Sequence, residues 1–256
     1  LDKGNEISQL TIAEVAKLHD VSDAMIVKLA KKLGYNGFRE LRDKIYRYSQ
    51  QPVSDLYQEI DTNDSPEIIV RKIFKTAIQA LEETIAILNM EHFLLAVQLL
   101  TEARQRDFYG VGGSATIVKD ASHKFLRIGM RSTVYDDAHL MMMSASLLNE
   151  QDIVLAVSHS GQTSAVLEAS RLARRNGAKV IALTNYPNSA LAESADVVLL
   201  STARGSALMS ENAAARIAQL NIIDALFVSI AQQNIGQAEA NLERTMASVK
   251  QKRENR

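Results

Sequence analysis

From Phe108 onward the chain alternates short, β-branched runs with longer helical patterns, and this alternation constrains the fold more than any other feature. Residues 108–111, 132–135, 153–157, 180–183 and 197–200 are the strand candidates. Helical patterns cover 116–128, 140–148 and 164–176, the last closed by Gly177 as a left-handed cap. The segment after 180–183 is shorter and gives no clear helix. Strands that lack polar–apolar alternation suit a parallel sheet covered on both faces. The expected fold class is therefore α/β, a five-stranded parallel sheet sandwiched by helices, with a small all-α domain at the N-terminus.

Two helices are expected before the sheet. Ser65-Pro66-Glu67 combines a capping serine, a proline at the first helical position and a carboxylate near the positive helix end. Ile69, Ile73, Phe74, Ile78, Leu81, Ile85 and Leu88 then form one broad apolar face. A second helix follows over 90–102. The last apolar helix spans 212–233, and residues 237–256 form a polar tail or helix ending in Lys250, Lys252, Arg253 and Arg256. The domain reading is 1–50 helical, 51–65 linker, 66–236 sheet domain and 237–256 tail.

With 256 residues the chain has room for two unequal domains. A net charge of −1 excludes a uniformly basic nucleic-acid coat, so any basic surface must be local. The absence of cysteine excludes disulfides, thiolate zinc sites and cysteine nucleophiles, and fits a reducing, cytoplasmic setting. No apolar run approaches the roughly 20 residues of a membrane span, so no membrane partner is expected. The chain starts at Leu1 inside what reads as a folded segment, and residues are expected upstream of it.

Ile12, Val15, Ala16, Val21, Ile26 and Leu29 stand at the offsets where a helix-turn-helix buries apolar residues. Asp20 occupies the turn, and Ala16 is small where the helices cross. Ser22 caps the second helix, with Ile26, Leu29 and Leu33 inward and Asp23, Lys28 and Lys31 outward. With Lys32 nearby, that outward face suits the major groove of double-stranded DNA, while Arg39, Arg42, Lys44 and Arg47 are placed to meet flanking phosphates. The plainer alternative is a helical hairpin with solvated lysines. Residues 1–50 hold nine Lys and Arg against seven Asp and Glu, an excess of only two, so useful affinity would need two copies on a two-fold operator.

The sharpest chemical signal is the turn Ser158-His159-Ser160-Gly161-Gln162-Thr163-Ser164, which leads from a strand directly into a helix. Hydroxyls of Ser158, Ser160 and Thr163, together with the free N–H groups of a helix start, are suited to one phosphate. Gly161 would let the backbone approach it closely. The alternative is a set of helix caps without a ligand. Gly110-x-Gly112-Gly113 is weak evidence for a dinucleotide, because Ala115 stands where a third glycine is needed and only Asp136 or Asp137 offers an acidic partner. No cofactor is expected. None of the five histidines is paired as a metal site, and Met141-Met142-Met143 reads as core filling. His139 lies at the ligand-binding edge, where a lone histidine is more often a packing or capping residue, and Glu211 stands just before the last helix, where the plainer alternative is a carboxylate favouring the helix dipole.

Val21 to Lys28 and the following Leu33-Gly34-Tyr35-Asn36-Gly37-Phe38 resemble the N-terminal domain of the RpiR family of bacterial transcriptional regulators. The serine turn resembles the signature of the SIS (sugar isomerase) domain that those regulators carry next. The resemblance implies a further helix ahead of Leu1, a homodimer, and a phosphorylated sugar as effector. It implies that Ser114, Ser158, Ser160 and Thr163 hold the phosphate, and that His139 and Glu211 face the sugar. Residues 110–114, 123–129 and 137–147 are similar to the ribose/allose and sialic-acid repressors of the family. Of the effectors this implies, N-acetylmannosamine 6-phosphate ranks first and a pentose or hexose phosphate is its rival. SIS domains also occur in sugar-phosphate isomerases, which would need a base such as Glu211 or His139 but have no use for an exposed lysine helix. The expectation is a repressor, not an enzyme.

Overall fold

The computed structural model describes residues 10–19, 21–32, 35–42, 60–61, 63–202 and 213–254. The chain divides into two compact units, Leu1–Glu59 and Ile60–Arg256.

In the first unit α1 (Ile12–Leu18) is followed by α2 (Asp23–Lys32). Thr11 and Glu14 form a capping box at the start of α1: the Thr11 hydroxyl oxygen accepts the Glu14 N–H, and the Glu14 carboxylate accepts the Thr11 N–H at 2.6 Å. Ser22 begins α2, its hydroxyl oxygen accepting the Met25 N–H at 3.3 Å. Val15, Ala16, Ile26 and Phe38 make the small core, with Val21 packed against it. The expectation for Leu29 fails, since it is 51% exposed. Leu29 lies about 60° around the helix from Ile26, while Ala30, on the other side of Ile26, is fully buried and takes the inward position. Asp20, Leu33, Lys44 and Arg47 lie outside the described residues.

The second unit runs α3 (Pro66–Ile87), α4 (Met90–Glu102), β1 (Gln105–Tyr109), α5 (Gly113–Arg127), β2 (Thr133–Tyr135), α6 (Ala138–Ala145), β3 (Asp152–Val157), α7 (Ser164–Arg175), β4 (Lys179–Thr184), α8 (Ala190–Ser194), β5 (Val197–Leu200), α9 (Ala213–Gln233) and α10 (Ile235–Glu254). The five strands form one sheet in the order β2-β1-β3-β4-β5, with every adjacent pair parallel. Each strand candidate falls on an observed strand. β1 starts earlier than its apolar run, because Gln105, Arg106 and Asp107 pair with β3 although they are polar. The segment without a clear helix contains the five-residue α8, started by Ser189, whose hydroxyl accepts the Ala192 N–H. Residues 237–254 of the polar tail lie in α10, docked by Asn241 donating to the Ile128 carbonyl at 2.9 Å.

Strand period and residue size divide the two faces. Ile153, Leu155, Val157, Ile181, Leu183, Val197 and Leu199 point to one core, filled from α4, α5 and α9. Val154, Ala156, Val180 and Ala182 point to the other, where smaller side chains let α6, α7 and α8 lie against the sheet. Asp107 is fully buried on β1 and accepts hydrogen bonds from Ser144, Gln105 and Tyr109. Burial pushes its carboxyl above the usual range. At the outer strand, the Val198 N–H donates to His92 Nδ1 at 3.1 Å and the Thr202 N–H to Thr84 Oγ1 at 3.0 Å.

The start of β3 is held by an ion pair. Arg104 donates to both oxygens of buried Asp152 at 3.0 and 2.9 Å, and the Asn149 N–H adds a third bond. Burial raises the Asp152 carboxyl, but these bonds outweigh it and leave the group below its ordinary value. A depressed folded-state value means stability that is present above the unfolded pKa and lost as pH falls through the folded one. Asp152→Asn is expected to cost about 2 kcal/mol at neutral pH, in urea unfolding, and the gap to the unaltered protein should narrow as pH drops below about 3.9.

Candidate functional site

Strand order determines where a ligand can sit. β1 and β3 are neighbours, but the chain leaves β1 towards the β2 edge and leaves β3 towards the β4 edge. Their helices α5 and α7 cover opposite faces. A crevice opens beyond the carboxyl ends of such strands. It is occupied here by a cavity of about 270 Å³.

Two helix starts converge on it. The turn after β1 brings Val111, Gly113 and Ser114 to the wall, at the first turn of α5. Gly110 has no room for a side chain because a Cβ would press on the Ser114 carbonyl, and Gly112 takes a positive φ of 58°. The turn after β3 brings His159, Ser160 and Thr163 to the same wall, at the start of α7. Unpaired N–H groups and the positive ends of these helices favour an anion.

The members of the serine turn have different places. Ser160 is exposed to the cavity, and its oxygen accepts the Gln162 N–H at 3.2 Å, which leaves its proton free for a ligand. Thr163 lines the cavity and shares a 3.0 Å hydrogen bond with Ser158. Ser158 is 2% exposed, does not line the cavity, and also accepts the Gly161 N–H at 3.1 Å. Its geometry is that of a strut under the turn. Gly161 has a positive φ of 62°, and a Cβ there would collide with Ser189 and crowd Thr184. The glycine is thus required by the packing beneath the turn. Gln162 is exposed and outside the cavity wall.

His139 is exposed in the first turn of α6 and does not line the cavity. Asp137 caps that helix, accepting the His139 and Leu140 N–H groups at 3.0 Å, and Asp136 pairs with Lys119 at 2.6 Å. Asp136 is thus engaged by a lysine, and Asp137 by the start of its own helix. Glu211 lies outside the described residues.

Sequence reasoning missed the contribution of α9. Ala215, Arg216 and Gln219, from its first turns, close the third side of the cavity. Among the described residues Arg216 has no ion-pair partner, which leaves its guanidinium available to a bound anion. Gln219 is held by donation to Asn185 Oδ1 at 3.3 Å, an oxygen that also accepts the Ser201 hydroxyl at 2.5 Å. The only signal available beforehand was an arginine in the opening turn of an otherwise apolar helix. No group of three or more His, Cys, Asp or Glu among the described residues is arranged to hold a metal ion.

In the first unit Ser22, just ahead of α2, and Asp23, Lys28, Lys31 and Lys32 on it are exposed, as is Arg39. Arg42 is partly buried and engaged with another residue. Lys28, Lys31 and Lys32 stand at i, i+3 and i+4, one basic face.

Comparison with known proteins gives the same two parts. Residues 1–52 match the helix-turn-helix domain of the rpiR family and residues 99–229 match the SIS domain. The chain is 46% identical to the HTH-type transcriptional regulator RpiR of Escherichia coli K12, over 97% of this chain and 84% of that protein. It is 35% identical to an uncharacterized HTH-type transcriptional regulator of Caldanaerobacter subterraneus subsp. tengcongensis, over 96% and 87%. Among solved structures, the Vibrio vulnificus NanR protein complexed with ManNAc-6P matches with a TM-score of 0.67 at 25% identity, covering 97% of this chain and 89% of that one. The sugar isomerase domain of an RpiR transcription factor from Sphaerobacter thermophilus shares the fold, with a TM-score of 0.65 at 23% identity over 70% and 98%.

The contrast between Ser160 and Ser158 is testable by calorimetry with sugar phosphates and by thermal melting. Ser160→Ala should weaken binding about tenfold or more without moving the melting temperature, since it removes a hydrogen bond to a charged group. Ser158→Ala should lower stability by about 1–3 kcal/mol, because the Gly161 N–H loses a buried acceptor.

Proposed function

The chain belongs to the RpiR family of helix-turn-helix transcriptional regulators, and on that premise we propose that it represses a sugar-catabolism operon and answers to a phosphosugar bound in its SIS domain. One observation carries the reading: two helix starts, the free hydroxyl of Ser160 and the unpaired Arg216 converge on a single cavity. Its volume lies just below the roughly 300–1,000 Å³ of drug-sized pockets, a fit for a monosaccharide phosphate. Ser114, Ser160, Thr163 and Arg216 hold the phosphate, with Ser158 bracing the turn. His159 and Gln219 face the sugar, with His139 and Glu211 assigned there by family resemblance alone.

N-acetylmannosamine 6-phosphate is the first effector to test, because the NanR structure contains it. A pentose or hexose phosphate, such as ribose 5-phosphate or allose 6-phosphate, is the second reading.

The working form is a homodimer in the cytoplasm. Phe74 and Ile85 on α3 are 67% and 77% exposed, and Ile78 on the same helix and Val228 on α9 are open as well. Apolar surface of this extent calls for a cover, and a two-fold copy would also double the lysine faces offered to a palindromic operator.

A thermal-shift panel of these sugar phosphates tests the sensor. One member should raise the melting temperature and release the protein from its promoter fragment, and solvent deuterium entering the sugar would favour an isomerase instead. Lys28→Ala with Lys31→Ala should lower the salt slope of DNA binding by about 1.8, at about 0.9 per phosphate contact. An unchanged slope would remove α2 from the interface. Light scattering should give a dimer at micromolar concentration, and Ile78→Asp a monomer.

A further inference from the structure

The second unit carries a concentration of positive charge that the sugar site does not use. At the end of α7 remote from the serine turn, a groove of about 410 Å³ is lined by Arg171, Arg174 and Arg175, with Ser194 of α8 completing the wall. Arg174 lies some 15 Å along the helix axis from the sugar-facing end, so the groove is separate from the sugar cavity.

Three acids lie nearby, Asp196, Glu168 and the exposed Glu193 beside Ser194, and none is in a close ion pair with Arg171 or Arg175. Asp196 is shared between Arg174 at 3.5 Å and Lys179 at 3.6 Å, and it also accepts the Val180 N–H at 3.0 Å. Glu168 is exposed one turn before Arg171 on the same helix, without a close ion pair. Among the described residues Arg171 and Arg175 have no ion-pair partner. The helix dipole favours Arg174 and Arg175 in the last turn of α7. It does not explain Arg171, a turn earlier and open to the same groove.

We propose that this groove takes phosphates of a DNA duplex, as a second contact between the chain and DNA. The inference rests on the DNA-binding reading above. Arginines at i and i+4 have their Cβ atoms about 6 Å apart on one helix face, and the guanidinium fork matches phosphate oxygens bidentately. The partner is a polyanion by charge complementarity, and the chain's own function makes DNA the polyanion at hand. An excess of only two positive charges over residues 1–50 leaves phosphate contacts to be made elsewhere. Two tethered contacts on one chain strengthen each other even where each is weak.

The experiment uses the full chain and a short, fluorescently labelled duplex of arbitrary sequence, titrated over a range of salt. Arg171→Ala with Arg175→Ala should lower the slope of log affinity against log salt by about 1.8, for two contacts at about 0.9 each. The melting temperature should stay unchanged, and the Arg171→Lys, Arg175→Lys pair should restore most of the slope. An alanine variant that keeps its fold, affinity and slope overturns the proposal. So does a variant that binds duplex normally but loses binding to poly-glutamate, which would assign the groove to an acidic protein. Failure of the unaltered chain to bind any duplex would instead bring down the DNA-binding reading, and this proposal with it.

Discussion

Parallel strands cannot be joined by hairpins, so every strand here must be followed by a connection that crosses a face of the sheet. The rest of the second unit follows from that constraint. Right-handed crossovers send the chain from β1 to one edge and from β3 to the other, and their helices separate onto opposite faces. Where they part, the carboxyl ends of two buried strands are left beside two helix starts. The cavity is therefore a by-product of topology, refined by small residues where the backbone has to bend.

Much of this was legible in the sequence, because the signals were strong and local. Five apolar runs gave the strands, Gly177 marked the end of α7, and Ser65-Pro66-Glu67 marked the start of α3. The strand order was not legible, since no local pattern records which runs become neighbours. The polar beginning of β1 was hidden for a different reason: Asp107 is buried with its own hydrogen-bond donors, and hydropathy alone reads it as surface. Leu29 was misplaced because a one-residue rotation of a short helix exchanges an edge position for a central one, and alanine at 30 gave only a weak signal of burial.

The site divides in the same way. The serine turn announced itself, but hydroxyls adjacent in sequence need not share a duty. Ser160 keeps its proton free on the cavity side, while Ser158 spends its hydrogen-bonding capacity inside the turn, on the Gly161 N–H and the Thr163 hydroxyl. Arg216 comes from a helix more than fifty residues downstream and could be found only by folding the chain.

The side chains that finish the outer strand have a consequence for how copies can associate. His92 takes the N–H of Val198 in β5 and Thr84 that of Thr202, two residues past its end, so neither is left to pair with a neighbouring strand. With these donors spoken for, strand addition from another molecule is discouraged along that border. Continuous sheets running from subunit to subunit, with their tendency towards open-ended fibres, are thereby disfavoured there. A pair formed instead through helix surfaces, as proposed above, would close on itself and could come apart without breaking the sheet.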